Sequence, residues 1–161
     1  MCAIVAIVAA VAVPVSLAGV DRARGWAASR FVAARFAQAR ARAVGRGAAV
    51  AVRIDGRDLN AELSSFADTN RNGVLTREID DGVESRLDGP TMLAALFPGV
   101  AVTDEGMVRL FSFSPDGTAT TGSLYLRSRD GTRFAIRVLG VTARVRIERF
   151  VVARGDWVEG F

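Results

Sequence analysis

The sequence predicts an α+β protein in which a long N-terminal helix packs on a mainly antiparallel β-sheet domain. Three observations predict this class. Residues 1–20 carry no charge, residues 21–46 keep helical spacing while gaining arginines, and residues 47–161 change to a period of two with turn motifs between short strands. We interpret these segments as the transmembrane half of the helix, its amphipathic half, and a β-rich domain.

The first segment, residues 1–20, is long enough to span a membrane. At about 1.5 Å per residue it forms a helix of roughly 30 Å, the thickness of a bilayer's hydrocarbon core. Pro14 removes a backbone hydrogen bond and predicts a kink. A cleavable signal peptide is the alternative, because Ser16-Leu17-Ala18 before Gly19 resembles a cleavage site. The helical pattern continues past that point and no basic segment precedes the apolar run, which favours a retained anchor.

The second segment is amphipathic. At 100° per residue one side of the helix collects the apolar residues Trp26, Ala33, Ala37 and Val44, with Phe36 close by, and the other side collects Arg24, Arg35, Arg42 and Arg46. This half of the helix is therefore predicted to pack on the domain. Gly45 and Gly47 are predicted to end the helix.

The third segment alternates strands and turns. A hairpin is predicted from residues 48–55 and 59–66. A weak strand and a short apolar patch follow, up to residue 97. Antiparallel strands are then predicted at residues 108–113, 123–129, 133–139 and 143–150. Asp-Gly and Pro-Asp-Gly turns separate these late strands.

Composition argues against an enzyme. The chain has no histidine and one cysteine, Cys2, which lies in the apolar run, so Ser-His and Cys-His pairs cannot be assembled. All 21 basic residues are arginine and the net charge is +4. A basic surface favours anionic partners such as phospholipid head groups or nucleic acid.

A loop at residues 68–73 resembles the start of an EF-hand calcium site. Asp68, Asn70 and Asn72 offer oxygen ligands and Gly73 allows the sharp turn. The twelfth position is Ile79 rather than a carboxylate, and Glu78 lies one residue early. Two interpretations remain: a weak calcium site of Asp68, Asn70, Asn72 and Glu78, or a turn held by Asx hydrogen bonds, which the mismatch favours.

The last long strand is basic. Arg144 and Arg146 share a strand face, and Arg149 follows on the same strand. A stripe of this kind can bind the phosphate backbone of nucleic acid without reading bases. It can equally be a solvated edge that discourages pairing with other strands, and Glu148 reduces its positive charge. We favour the solvated edge.

The chain resembles the type IV pilin-like proteins of the GspH/FimT group. The resemblance is carried by the Ala-Val-Pro step at residues 12–14, the Ala/Arg-rich helix that follows, and Phe-Ser-Pro-Asp-Gly at residues 113–117. These proteins are minor pseudopilins of type II secretion and minor pilins of type IV pili. Members begin with a basic leader, a prepilin peptidase site and a Phe-Thr-Leu-Ile-Glu-Leu type stretch. None of these precedes residue 1, so we expect the sequence to be N-terminally truncated.

The resemblance implies a structural role without catalysis or a cofactor. We expect a single-pass protein of the bacterial inner membrane, with its β-rich domain in the periplasm and its helix packed against those of other pilin-like subunits. The alternative is a FimT-like pilus subunit that binds DNA during uptake, for which Arg144, Arg146 and Arg149 are the candidate residues. The third reading is an anchored or secreted β-domain unrelated to pili.

Overall fold

The computed structural model describes residues 2–160, with side chains for residues 19–160. Helix α1 spans Cys2–Arg46 and ends where Gly47 adopts a φ of +63°. This left-handed conformation suits glycine, which has no Cβ to clash with the preceding carbonyl. The predicted end of the helix is therefore confirmed.

Nine strands and two short helices follow α1 in the described residues. They are β1 (Val50–Asp55), β2 (Glu62–Ala67), α2 (Thr76–Asp80), β3 (Ser85–Met92), α3 (Leu93–Leu96), β4 (Ala101–Thr103), β5 (Leu110–Phe113), β6 (Gly122–Arg127), β7 (Arg133–Leu139), β8 (Arg144–Val151) and β9 (Asp156–Glu159). They form two antiparallel sheets, ordered β3-β2-β1-β5 and β4-β6-β7-β8-β9. The α+β class predicted from the sequence is confirmed.

The first sheet is built on the predicted hairpin. In β1 and β2, Val50 lies opposite Ala67 and Asp55 opposite Glu62. Strand β5 pairs with the other edge of β1, with Val50 opposite Phe113. The sequence predicted β5 to belong to the late run of strands, but the structure places it in the first sheet because its alternating Phe111 and Phe113 complete the core beside β1.

Helix α1 packs on both sheets and unites them around one core. The ring centroid of Phe36 lies 4.6 Å from that of Phe111 and 5.9 Å from that of Phe113. Gly25 brings the helix close to the second sheet, since a Cβ there would lie 2.4 Å from a ring atom of Phe134. Glycine is thus required for this approach.

The apolar side read from the sequence only partly matches the side of α1 that packs. Trp26 and Ala33 pack partly buried against the core, whereas Ala37 and Val44 are exposed. The buried residues of the described part of the helix are Gly25, Ala28, Ser29, Val32, Phe36, Ala39 and Ala43. The centre of this buried face lies roughly 120° around the helix from the centre of the group Trp26, Ala33, Ala37 and Val44. Alanine is so frequent in this helix that apolar residues occur on nearly every side, and hydrophobicity alone could not select the side that packs.

The predicted membrane span, residues 1–20, and the predicted kink at Pro14 lie outside the part described with side chains, except for the last two residues of the span. Within the part of the chain that the structure describes, no helix contains an apolar stretch long enough to cross a bilayer.

Candidate functional site

One face of α1 is left uncovered by the domain, and its residues follow heptad spacing. They lie alternately three and four positions apart, which keeps them on one side of the helix. We call this set the alanine seam: Val20, Ala23, Ala27, Arg30, Ala34, Ala37, Ala41 and Val44. Each of these residues is exposed.

The chemistry of the alanine seam suits contact with another helix. Apart from Arg30, its members are alanine, with valine at the two ends. Side chains this small let two helix backbones approach closely, so that many weak van der Waals contacts form along the whole length. The valines at the ends, Val20 and Val44, are 47% and 55% exposed. The seam is thus an apolar surface without a partner within the described chain.

An ion-pair cluster fixes which way the alanine seam faces. Arg42 Nη1 donates a hydrogen bond to Asp88 Oδ2 on β3, and Arg35 Nη1 lies 3.8 Å from the same oxygen. Arg35 and Arg42 are two helical turns apart and flank the buried face of α1. Together with the ring contacts of Phe36 they prevent rotation of the helix on the sheets, which holds the seam toward solvent.

A shallow apolar groove of about 1300 Å³ runs beside the alanine seam. Its helix side includes Ala34, Ala37 and Ala41, and its sheet side includes Leu139 and Val145. Leu139 is 52% exposed, at the start of the β7–β8 turn. The groove widens the uncovered apolar surface from the helix onto the domain.

The loop of residues 68–73 is organised by one carboxylate. Asp68 Oδ1 accepts hydrogen bonds from the backbone N–H groups of Asn70 at 3.1 Å and Arg71 at 2.6 Å, and Oδ2 accepts from that of Gly73 at 2.8 Å. Asp68 is 9% exposed. These are the Asx hydrogen bonds that the second interpretation of the loop requires.

The structure brings the other predicted calcium ligands together. The side-chain amides of Asn70 and Asn72 both donate to the Glu78 carboxylate, at 3.3 Å and 2.8 Å. Among the described residues, no group of three or more His, Cys, Asp or Glu is placed to hold a metal ion. The calcium site is not tested by these observations and remains a prediction.

Sequence reasoning missed Glu84, which closes this loop from the other side. Its Oε2 accepts a hydrogen bond from the backbone N–H of Thr69 at 3.0 Å, and its Oε1 is buried with no hydrogen-bond partner. Glu84 is 6% exposed. It lies 16 positions after Asp68 in a polar stretch, and no local sequence signal distinguishes it from its acidic neighbours.

The structure separates the three arginines of the basic strand. Arg137, which is opposite Arg146 on β7, lies on the outer face of the second sheet, and so do Arg144 and Arg146. Arg149 is opposite the fully buried Phe134 and therefore lies on the face that α1 covers. Sequence reasoning did not place Arg149 on a face, and the structure now assigns it to the inner one.

The outer face of the second sheet mixes arginines with aromatic rings and carboxylates. Arg137 Nε donates to Glu148 at 2.6 Å, and Arg146 Nε lies 3.9 Å from Glu159. The hydrogen bond to Glu148 raises the pKa of Arg137 above its ordinary value. Arg137 also lies over the rings of Tyr125 and Trp157, at 6.0 Å and 5.7 Å. The charge of Arg137 is thus largely compensated by Glu148 and the two rings of the same sheet.

The sequence model of the family described as type II transport protein GspH matches residues 27–142. The chain belongs to the GspH family. No curated protein and no solved structure matches the chain. The predicted resemblance is thereby confirmed, over a range that includes the packed half of α1 and the strands up to β7.

The GspH family consists of structural pseudopilins, and membership implies association with other pseudopilin subunits. The matched range contains most of the alanine seam and the Asp68 loop. It ends before β8, so the basic strand with Arg144, Arg146 and Arg149 lies outside it.

Proposed function

We propose that this chain is a minor pseudopilin, a structural subunit of a type II secretion pseudopilus or a type IV pilus. The alanine seam is the observation that carries the proposal. It gives α1 one face that holds the domain and an opposite face that is apolar, small and open to another helix. Assembly then consists of helices packing side by side while the β-rich domains form the surface.

In this proposal residues 1–20 anchor the chain in the inner membrane, with a single pass and the domain in the periplasm. The uncharged composition of residues 1–20 supports it. The alanine seam begins at Val20, where this stretch ends, so one continuous helix offers an apolar surface first to lipid and then to neighbouring subunits.

The test introduces a large ring into the alanine seam. We expect Ala27→Trp to lower the amount of other pilin-like subunits that co-purify with the full chain from detergent-solubilised membranes by about tenfold, since overpacking a close contact costs about 1–3 kcal/mol. Ala27 is exposed, so the fold of the domain is unaffected.

Arg46→Trp is the matched control. Arg46 is also an exposed residue of α1, it does not line the groove beside the seam, and it lies about 140° around the helix from the seam. Co-purification should be close to that of the unchanged chain. Equal losses in both variants, or in neither, would contradict the assignment of the alanine seam to subunit packing.

A FimT-like subunit that binds DNA is the second candidate. The observation that favours it is the outer face of the second sheet, which Arg144 and Arg146 share with the half-buried rings of Tyr125 and Trp157. Arginines and aromatic rings on one face together suit single-stranded nucleic acid, through phosphate contacts and base stacking. The carboxylates of Glu148 and Glu159 oppose it.

A mobility-shift assay distinguishes the two candidates. DNA binding predicts that the full chain retards single-stranded DNA at low salt and that Arg144→Gln with Arg146→Gln abolishes the shift. Failure to retard DNA at low salt would remove this candidate and leave the structural role unaffected.

A further inference from the structure

A basic cavity lies at the end of the domain where α1 enters it. The cavity has a volume of about 370 Å³ and is lined by residues of α1, the β6–β7 turn, the start of β7, the end of β8 and the residue that follows β8. Its charged residues are Arg22, Arg133, Arg149 and Asp130. Neither proposed function uses this cavity, because the alanine seam lies on another face of α1 and because Arg144 and Arg146 lie near the start of β8, away from the cavity.

The one carboxylate that lines the cavity, that of Asp130, is already hydrogen-bonded and ion-paired within the domain. Asp130 accepts hydrogen bonds from the hydroxyl of Ser128, and from the backbone N–H and hydroxyl of Thr132 at 3.1 Å and 2.8 Å. Its carboxylate also lies 3.6 Å from Arg22 Nε. Asp130 therefore closes the β6–β7 turn and holds Arg22 in place.

The other two guanidinium groups leave positive charge at the opening. Arg133 lies over the ring of Phe150 at 4.2 Å and 3.8 Å from the exposed carboxylate of Glu105. Arg149 is exposed and forms no ion pair with any residue that the structure describes. Arg133 and Arg149 lie on opposite faces of the adjacent strands β7 and β8, and both line the cavity at the end of these strands, where their N–H groups suit a phosphate.

The rim of the cavity is apolar on one side. Val152 follows β8 directly, lines the cavity and is 85% exposed. An exposed valine beside arginines is typical of surfaces that lie at the boundary between lipid head groups and acyl chains, and it has no role in binding a soluble anion.

The position of the cavity along α1 matches the head-group layer. Arg22 lies two residues beyond the uncharged stretch 1–20, which is about 3 Å along the helix axis. The polar layer of a bilayer is about 5–8 Å thick on each side of the hydrocarbon core. A helix anchored through residues 1–20 therefore carries Arg22 and its cavity to the depth of the lipid phosphates.

We propose that the cavity formed by Arg22, Arg133 and Arg149 binds the phosphate of an anionic phospholipid head group, while Val152 rests at the acyl boundary. The inference depends on the anchoring of residues 1–20 proposed above. Binding would hold the domain against the membrane surface before the subunit enters a filament, with the alanine seam directed sideways toward its neighbours.

The test measures how deeply Val152 lies in the membrane. The full chain carrying Cys2→Ser and Val152→Cys, with a fluorophore on the new thiol, is reconstituted into nanodiscs of phosphatidylcholine alone or mixed with phosphatidylglycerol. We expect the label to be protected from quenching by acrylamide, a neutral quencher that the anionic surface does not repel, only in the discs that contain phosphatidylglycerol. Each basic residue near an anionic surface strengthens binding about fivefold, so Arg133→Gln with Arg149→Gln should lower the docked-to-free ratio about thirtyfold.

Arg144→Gln with Arg146→Gln is the matched control, because these exposed arginines lie further back on β8, near its start, and lose the same charge. They should leave the protection unchanged. The inference is overturned if protection is equal in the two lipid mixtures, if both double variants lose it equally, or if glycerol phosphate or a short single-stranded DNA releases the label at millimolar concentration or below.

Carbonate extraction of the same discs separates the two proposals. A chain that stays with the discs while the label remains quenchable in both mixtures contradicts the lipid site alone. A chain that carbonate removes contradicts the anchoring of residues 1–20, and the lipid site with it.

Discussion

The outer faces of the two sheets differ, because the chain covers one of them and leaves the other open to solvent. The first sheet is covered by the segment between β2 and β3, which buries a small apolar cluster of Ala49, Ala51, Phe66, Val74 and Ile79. The second sheet is left open, and its outer face carries arginines stacked on aromatic rings. The difference teaches that this domain has one face closed by its own chain and one whose arginines and rings remain in contact with solvent.

The largest difference should appear when one ring is removed from each outer face. Phe66 is 4% exposed under the covering segment, so Phe66→Ala should lower the free energy of unfolding by about 3 kcal/mol. Phe150 is only half-buried on the open face, and Phe150→Ala should cost about 1 kcal/mol. Urea unfolding followed by circular dichroism measures both. Equal losses would contradict the distinction between a closed and an open face.

The covering segment itself is held by Asp68. Asp68→Ala leaves three backbone N–H groups without their acceptor and should cost about 2 kcal/mol in the same unfolding experiment. Asp116→Ala is the control, because Asp116 is an exposed turn residue that accepts hydrogen bonds from the neighbouring Thr118. Its loss should be clearly smaller. A loss as large as that of Asp68→Ala would show that the position of the carboxylate does not matter.

Asp130 holds the end of the second sheet, and its contribution should depend on pH. Burial alone would raise the pKa of Asp130, but hydrogen bonds from Ser128 and Thr132 and the charge of Arg22 outweigh it and lower the pKa below the ordinary 3.8. A lowered pKa in the folded state stabilises the fold above the unfolded-state value, and this stabilisation is lost as the pH falls through the folded-state value.

We therefore expect Asp130→Asn to cost about 1–2 kcal/mol at pH 7. The difference from the unchanged chain should shrink as the pH falls from 5 towards 2. Unfolding midpoints across this range measure it, and a difference that stays constant with pH would contradict the charged role of Asp130.

The smallest effect concerns calcium at the covering segment. If Asp68, Asn70, Asn72 and Glu78 form the predicted weak site, calcium at its own Kd should raise the free energy of unfolding by about 0.4 kcal/mol, with Kd in the millimolar range. Glu78→Gln should remove the effect, and calorimetry measures the binding directly. No heat at millimolar calcium would end the hypothesis.

Local patterns in the sequence predicted much of this fold. Glycines after an amphipathic run predicted the end of α1, and Asp130-Gly131 with alternating residues predicted β7 at its observed bounds, Arg133–Leu139. Such signals act between residues close in sequence, where turn chemistry and side-chain period decide the backbone. The Phe-Ser-Pro-Asp-Gly motif and the helix before it were enough to indicate the family that residues 27–142 match.

Candidate sites were predicted less completely. The residues of the Asp68 loop could be identified because they lie within eleven positions of one another. Glu84, which completes the loop, and Trp157, which completes the outer face, could not, because each acquires its role from contacts made across the fold. Strand β9, which carries Trp157, follows a turn without a strong signal and was missed.

By itself the sequence determined the α+β class, the long helix with its end, the turn-separated strands and the family. Only the tertiary structure decided that β5 joins the first sheet, that Arg149 lies on the inner face, and which side of α1 faces the core. Strand partners and the rotation of the helix on the sheets depend on contacts between residues distant in sequence. Because this helix is so rich in alanine, its apolar pattern does not select the buried side. The larger side chains of Val32 and Phe36 select it. The same selection leaves the alanine seam uncovered.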